Sequence, residues 1–244
     1  MKVKTILLLI SLFLFYKGWC QVSYLELAEN KERQGKKDTA LYYLNVGLSS
    51  NLSNSVSYKL LVKKGYILMS QGQDKEAEIS FDKAIAILSD SGQAYAAKGY
   101  LFLKTKRFFK SSDNFDKAIA RKNADISVIF CRAHALWDTK NYEEAMKGID
   151  KVLLLQPNHP DANYLKGRIY ARTGKHQEAL PWYNKAFGLA EQSKIAEIYA
   201  YRGVSYLALN QLEKAESDLT RGIEGGIDRD EINFALMELD RLRK

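Results

Sequence analysis

The chain has 244 residues, 46% hydrophobic and 27% charged, with a formal net charge of +8 and two cysteines. That composition excludes a disordered, collagen-like or disulfide-stapled chain. The positive charge is spread among acidic residues rather than gathered into an Arg/Lys stripe able to follow phosphates, so no nucleic-acid partner is expected.

Residues 1–20 open with Lys2 and Lys4 and continue through Ile6–Tyr16 with only Ser11 polar. They close on Gly18 and Cys20, small residues at the −3 and −1 places before Gln21. This order predicts a secretory signal peptide cleaved after Cys20, and hence an exported protein, periplasmic or secreted. The apolar run falls short of the about 20 residues a bilayer span needs, so no transmembrane span is expected after cleavage. Cys20 raises an alternative, a lipid anchor on its thiol, against which Trp19 stands where such signals place a small residue. After simple cleavage Cys131 is the only cysteine left, and no internal disulfide can form.

Helical periodicity then runs to the end of the chain. Residues 21–54 predict a first hairpin turning at Gln34-Gly35, and the Ser/Asn-rich stretch Ser49–Ser57 a longer loop. Hairpins over 58–91, 92–125 and 126–159 follow, with inner turns at Gly72, Lys106 and Lys140. A fifth spans 160–193 and a sixth 196–227, turning at Gly174 and Asn210. Within 160–193, Gly167 and Tyr170 share one face of a first helix, and Ala179, Tyr183 and Ala186 one face of a second. Pro181 is expected near the first turn of that second helix, where its missing N–H does little harm. After Gly225-Gly226, residues 228–244 predict a capping helix opened by Asp228, with Ile232, Leu236, Leu239 and Leu242 as its apolar stripe; docking of this helix on a partner is the alternative.

Four columns repeat in register through these hairpins. One reads Ala28, Gly65, Gly99, Ala133, Gly167, Gly203; a second Ala40, Ala77, Ser111, Ala145, Ala179, Ala215. The others read Leu44, Phe81, Phe115, Ile149, Tyr183, Leu219 and Gly47, Ala84, Ala118, Val152, Ala186, Gly222. A spacing close to 34 residues with this pattern resembles the tetratricopeptide repeat (TPR) family, over residues 21–227. The resemblance implies an all-α, right-handed superhelical solenoid of about six helical hairpins plus a C-terminal capping helix. It also implies that the first helix of each hairpin lines a concave groove.

At the positions that then face the groove stand Lys63, Tyr66, Tyr100, Lys104, Phe130, His134, Trp137, Tyr164, Arg168, Arg172 and Tyr201. Aromatics mixed with Arg are the types enriched at interface hot spots. The expected function is a non-enzymatic scaffold or adaptor binding a peptide or protein segment with aromatic or aliphatic anchors and some acidic character. The alternative is a structural subunit of an envelope assembly complex, in lipid-anchored or simply cleaved form. The family's Lys/Asn/Arg clamp for C-terminal carboxylates is absent, since Leu25 and Glu29 stand where Lys and Asn would. No cofactor or metal is expected. A remote enzymatic alternative is the Cys131, His134, Asp138 stripe, whose side chains project in parallel from one helix instead of converging on a substrate. Lys64, Lys98, Arg132, Lys166 and Arg202 form a basic ladder, expected to be structural and neutralised in part by Asp82, Asp116 and Asp150.

Overall fold

The computed structural model describes residues 24–244, so the signal peptide expected over residues 1–20 lies outside the described residues. All regular structure among the described residues is helical. A first compact unit, ending at Ala124, holds three hairpins. They pair α1 (24–33) with α2 (Lys37–Ser49), α3 (Asn54–Ser70) with α4 (Asp74–Ile87), and α5 (Gly92–Lys104) with α6 (Phe108–Ala120). The second unit begins at Asp125. It pairs α7 (Ile126–Asp138) with α8 (Tyr142–Leu155), α9 (Pro160–Arg172) with α10 (His176–Phe187), and α11 (Gln192–Ala208) with α12 (Leu212–Glu224), then adds α13 (Arg229–Leu242).

Each hairpin turns by the same device. Gly35, Gly72, Lys106, Lys140, Gly174 and Asn210 all take positive φ just past the first helix. The next residue's N–H then reaches back five residues, as in Arg107 N–H to the Phe102 carbonyl at 2.8 Å and Lys175 N–H to Tyr170 at 2.9 Å. These bonds satisfy carbonyls that a helix end leaves without partners. Lys106 and Lys140 meet the same geometric demand as the glycines, at φ 56° and 63°.

Close helix approach inside a hairpin rests on a small residue facing a large one. A Cβ on Gly99 would lie 2.8 Å from the Phe115 ring, and one on Gly167 2.9 Å from the Tyr183 ring, so only glycine fits beside these aromatics. Where the small residue is alanine the partner shrinks, giving Ala28 with Leu44 and Ala133 with Ile149, all buried. Neighbouring hairpins within a unit then share a core. In the second unit Ile129, Ala133 and Leu136 pack with Ile149, Val152, Leu165 and Ile169. No hairpin alone buries that much surface, which is why stacking is required.

Three local features differ from the sequence reading. The segment expected as a loop up to Ser57 is helical from Asn54, after an extended Ser53, and α11 starts at Gln192 rather than near Ala196. Extra residues between repeats thus become an added N-terminal turn, which pairs backbone groups a loop would leave to water. Pro181 is the sixth residue of α10, beyond its first turn. The helix tolerates it because Pro181 and Gln177, whose carbonyl loses a donor, are both exposed. In α13 the buried stripe is Ile232, Ala235 and Leu239, with Leu236 half-buried and Leu242 exposed. Asp228 caps this helix by accepting from the Asp230 N–H at 3.0 Å. No helix among the described residues is long and apolar enough to cross a membrane.

Candidate functional site

In the second unit three first helices bring aromatic side chains around one cation. The Arg168 guanidinium carbon lies 4.0 Å from the Tyr201 ring centroid, 4.8 Å from that of Trp137 and 5.7 Å from that of Tyr164. The three rings come from α11, α7 and α9, so stacked hairpins, not one helix, assemble the arrangement. Among the described residues no carboxylate pairs with Arg168 or Arg172. A guanidinium held by ring faces is attracted to the ring quadrupoles, while its N–H edge still needs acceptors.

Beside this cation opens a cavity of about 630 Å³, lined by Trp137, Tyr142, Arg168, Arg172, Tyr201 and Phe234. Arg172 is exposed at its edge and Lys140 adds another positive charge, against Asp138 and Glu231. The Asp138 carboxylate lies near the His134 imidazole, Oδ2 to Nδ1 3.2 Å. The cavity therefore presents apolar ring surface and a surplus of positive charge, suited to an aromatic or aliphatic anchor with a carboxylate beside it. Glu231 and Phe234 come from α13, expected from sequence as a cap, with docking on a partner as the alternative. The signal was present, because Phe234 and Met237 fall off that helix's buried stripe and stand 84% and 65% exposed.

The other residues assigned to the groove are placed differently. Tyr164 is buried, with its ring 6.2 Å from that of Tyr183 and 6.3 Å from that of Tyr201, so it supports the cage from beneath. Burial pushes its phenol well above the ordinary tyrosine range. Phe130 stacks on His159, ring centroids 4.9 Å apart, and packs against the core. In the first unit Lys63 pairs with Glu32, and Lys104 pairs with Asp74 at 2.7 Å while also donating to the Met69 carbonyl at 2.6 Å. Tyr66 and Tyr100 set their rings edge-on to Phe81 and Phe115, at 5.6 and 5.0 Å. These two lysines, expected to meet an acidic partner, instead tie successive hairpins together. Spacing along one helix gives a face, but not the acid that the neighbouring hairpin brings to it.

The Cys131 stripe lies in an environment that favours the protonated thiol. Burial first, then the carboxylates of Asp125 and Asp161, push the Cys131 thiol up to about 11. A nucleophilic cysteine needs the opposite environment. Among the described residues no cluster of three His, Cys, Asp or Glu side chains is arranged to hold a metal ion.

Three rungs of the basic ladder are structural ion pairs. Lys98 pairs with Asp82 at 2.5 Å and Lys166 with Asp150 at 2.6 Å, each reaching the second helix of the preceding hairpin. Arg202 takes both Asp218 oxygens, at 2.7 and 3.0 Å, and the Asn184 side-chain oxygen at 2.7 Å.

The tetratricopeptide repeat family matches this chain at residues 132–194 and, separately, at residues 58–87. No curated protein matches it. Among solved structures it is similar to MamA, from residue 41 to its end, of Desulfovibrio magneticus RS-1, with 21% identity over 69% of this chain and 94% of that one and a TM-score of 0.63. It is similar to YrrB, a TPR protein with an unusual peptide-binding site, at 20% identity over 73% and 91% with a TM-score of 0.62. A tetratricopeptide repeat protein from Parabacteroides merdae ATCC 43184 matches at 20% identity over 90% of this chain and 84% of that one, TM-score 0.59. Identities this low carry the fold and say nothing of the ligand.

Proposed function

The chain is a tetratricopeptide-repeat protein, and from that premise we propose that it is a non-enzymatic scaffold whose second unit captures a protein segment at the Arg168 cavity. The segment carries an aromatic or aliphatic anchor that enters between Trp137, Tyr201 and Phe234, and a carboxylate that meets Arg168 and Arg172. The observation that supports this most is the Arg168 cage: a half-buried cation oriented by three rings and left without a carboxylate. Lys63, Lys98, Lys104, Lys166 and Arg202 each meet an acid from a packed helix, whereas Arg168, beside a cavity, meets none among the described residues and is open to an external one. Random peptides displayed on phage and selected on the protein test this. Enrichment of acidic residues beside aromatic or large aliphatic ones, lost when selection is repeated on Trp137→Ala, supports it; neutral or basic consensus sequences refute it.

The proposal includes export. It rests on the basic, apolar and small-residue order of residues 1–20. Mass analysis of protein recovered from cells decides it: the mature chain should begin at Gln21, and an intact Met1 or an acylated Cys20 would overturn the proposed processing.

A further inference from the structure

The first unit carries a second candidate surface, on the side of its second helices. A recess of about 970 Å³ lies between α2 and α4 over α3. Its aliphatic lining comes from all three helices, including Leu41 and Leu48, Leu61 and Leu68, and Ile79 and Ile87. It opens where the repeat spacing is longest, with Ser49 and Ser57 on either side of the added residues.

Its electrostatics break the ladder rule. Lys64 occupies the rung filled elsewhere by Lys98 and Lys166, but the residue that answers it is Asn45 where they have Asp82 and Asp150. Lys64 donates to the Asn45 side-chain oxygen at 2.7 Å and finds no carboxylate among the described residues. Lys83 lines the same recess, also without an acid, and Glu76 at its other end pairs with neither lysine. Burial, followed by the charge of Lys83, pulls the Lys64 ammonium below the ordinary lysine range. Two like charges are thus held close around aliphatic surface, at a rung where the neighbours are neutralised.

We propose that this recess docks an amphipathic segment of a partner protein, its aliphatic side chains entering between α2 and α4 and its carboxylates answering Lys64 and Lys83. Charge complementarity sets the acidic character, and the open, three-helix lining fits the apolar face of a helix better than a single acyl chain, which would stay partly wet. This surface is independent of the Arg168 cavity, so the two readings stand or fall separately.

The probe is a synthetic helix with Leu at i, i+3, i+4 and i+7 and Glu on the flanks, titrated into the full chain by fluorescence anisotropy. It should bind, with amide-exchange protection on α2 and α4, and its Glu-to-Gln counterpart should bind about fivefold more weakly. Asn45→Asp recreates the ion pair seen at the other rungs. It should weaken the acidic probe by about fivefold without lowering the melting temperature, and Lys83→Glu should do the same. Arg168→Gln should leave this binding unchanged. No binding, equal binding of the Gln peptide, undiminished binding to Asn45→Asp and Lys83→Glu, or protection on α7 and α9 would each overturn the proposal. So would dodecanoate occupying the recess while the peptide does not.

Discussion

Arg168 and Tyr201 are in cation–π contact across two hairpins, guanidinium carbon to ring centroid 4.0 Å. The contact fixes the direction of the guanidinium before any partner arrives, so little side-chain entropy remains to be lost on binding. Lys63 and Lys104 show the contrast, since each already has a carboxylate from a neighbouring hairpin.

Arg168→Gln should therefore lower the affinity of a selected acidic-aromatic peptide about tenfold and flatten its salt dependence. Lys104→Gln should change affinity little, because its charge is committed to Asp74. Calorimetry at two salt concentrations on both variants separates the two roles. Equal losses would mean that charge acts diffusely and that the cage is not the recognition point.

The ladder should contribute unequally to stability. Arg202 and Asp218 are 15% and 6% exposed and bonded twice, so Arg202→Ala leaves a buried carboxylate uncompensated and should cost about 3 kcal/mol. Burial alone would lower the Arg202 ionisation range, but the hydrogen bond and charge of Asp218 outweigh it and raise it. Lys166→Ala strands only the half-exposed Asp150, and should cost about 1 kcal/mol. Urea denaturation of the two variants measures the difference.

Small–large pairing inside a hairpin is also testable. Gly99→Ala drives a methyl into the Phe115 ring and should cost about 1–3 kcal/mol. Adding Phe115→Leu should return part of that loss, because Ala28 with Leu44 shows that the smaller pair packs. If the double variant is simply the sum of two losses, the pairing is not a local complementarity.

Much of this architecture is legible in the amino-acid sequence alone. The columns holding Gly99 with Phe115 and Gly167 with Tyr183 are contacts within a hairpin, fixed by helical spacing and residue size, so sequence shows them directly. Lys106 and Lys140 can be assigned to turns because their neighbours in register are Gly72 and Gly174. What sequence conceals lies between elements. Asn54 and Gln192 sit in polar stretches that read as loops, yet the backbone gains a turn of helix there. The pairing of Lys63 with Glu32, and the burial of Tyr164, depend on which side chain the next hairpin delivers. The contribution of α13 to the cavity is half legible: Phe234 falls off the apolar stripe, but the wall it completes depends on the hairpins it packs against.

Cys131 should behave as an inert thiol. The folded thiol holds its proton to about 11, whereas the unfolded one releases it near 9.0. At pH 8 its thiolate fraction, and hence its alkylation rate, should fall about 100-fold below that of an unfolded thiol. The folded state binds the extra proton in that window, so stability should decline as pH rises from about 9 to 11, and Cys131→Ser should blunt the decline. Iodoacetamide kinetics and melting curves across that range check both; rapid alkylation at pH 7 would contradict this environment.

The C-terminal helix should separate stability from binding on its two faces. Ile232, Ala235 and Leu239 pack with Ala200, Leu207, Ala215 and Leu219, closing the core that the last hairpin would otherwise leave open. Leu239→Ala should therefore cost about 2–4 kcal/mol, as large-to-small changes in a core do. Phe234 stands on the other side, 84% exposed at the cavity wall, and its removal takes little from the folded state. Phe234→Ala should leave the melting temperature within about 2 °C of the parent, while weakening a peptide selected on the Arg168 cavity about tenfold. Thermal melts and calorimetry on the two variants give four numbers. A helix that is only a cap would show a stability loss at Leu239 and no binding loss at Phe234. A helix that only recognises the partner would show the reverse. The packing described here requires a stability loss at Leu239 and a binding loss at Phe234, because the same turn of α13 presents Ala235 to the core and Phe234 to the cavity.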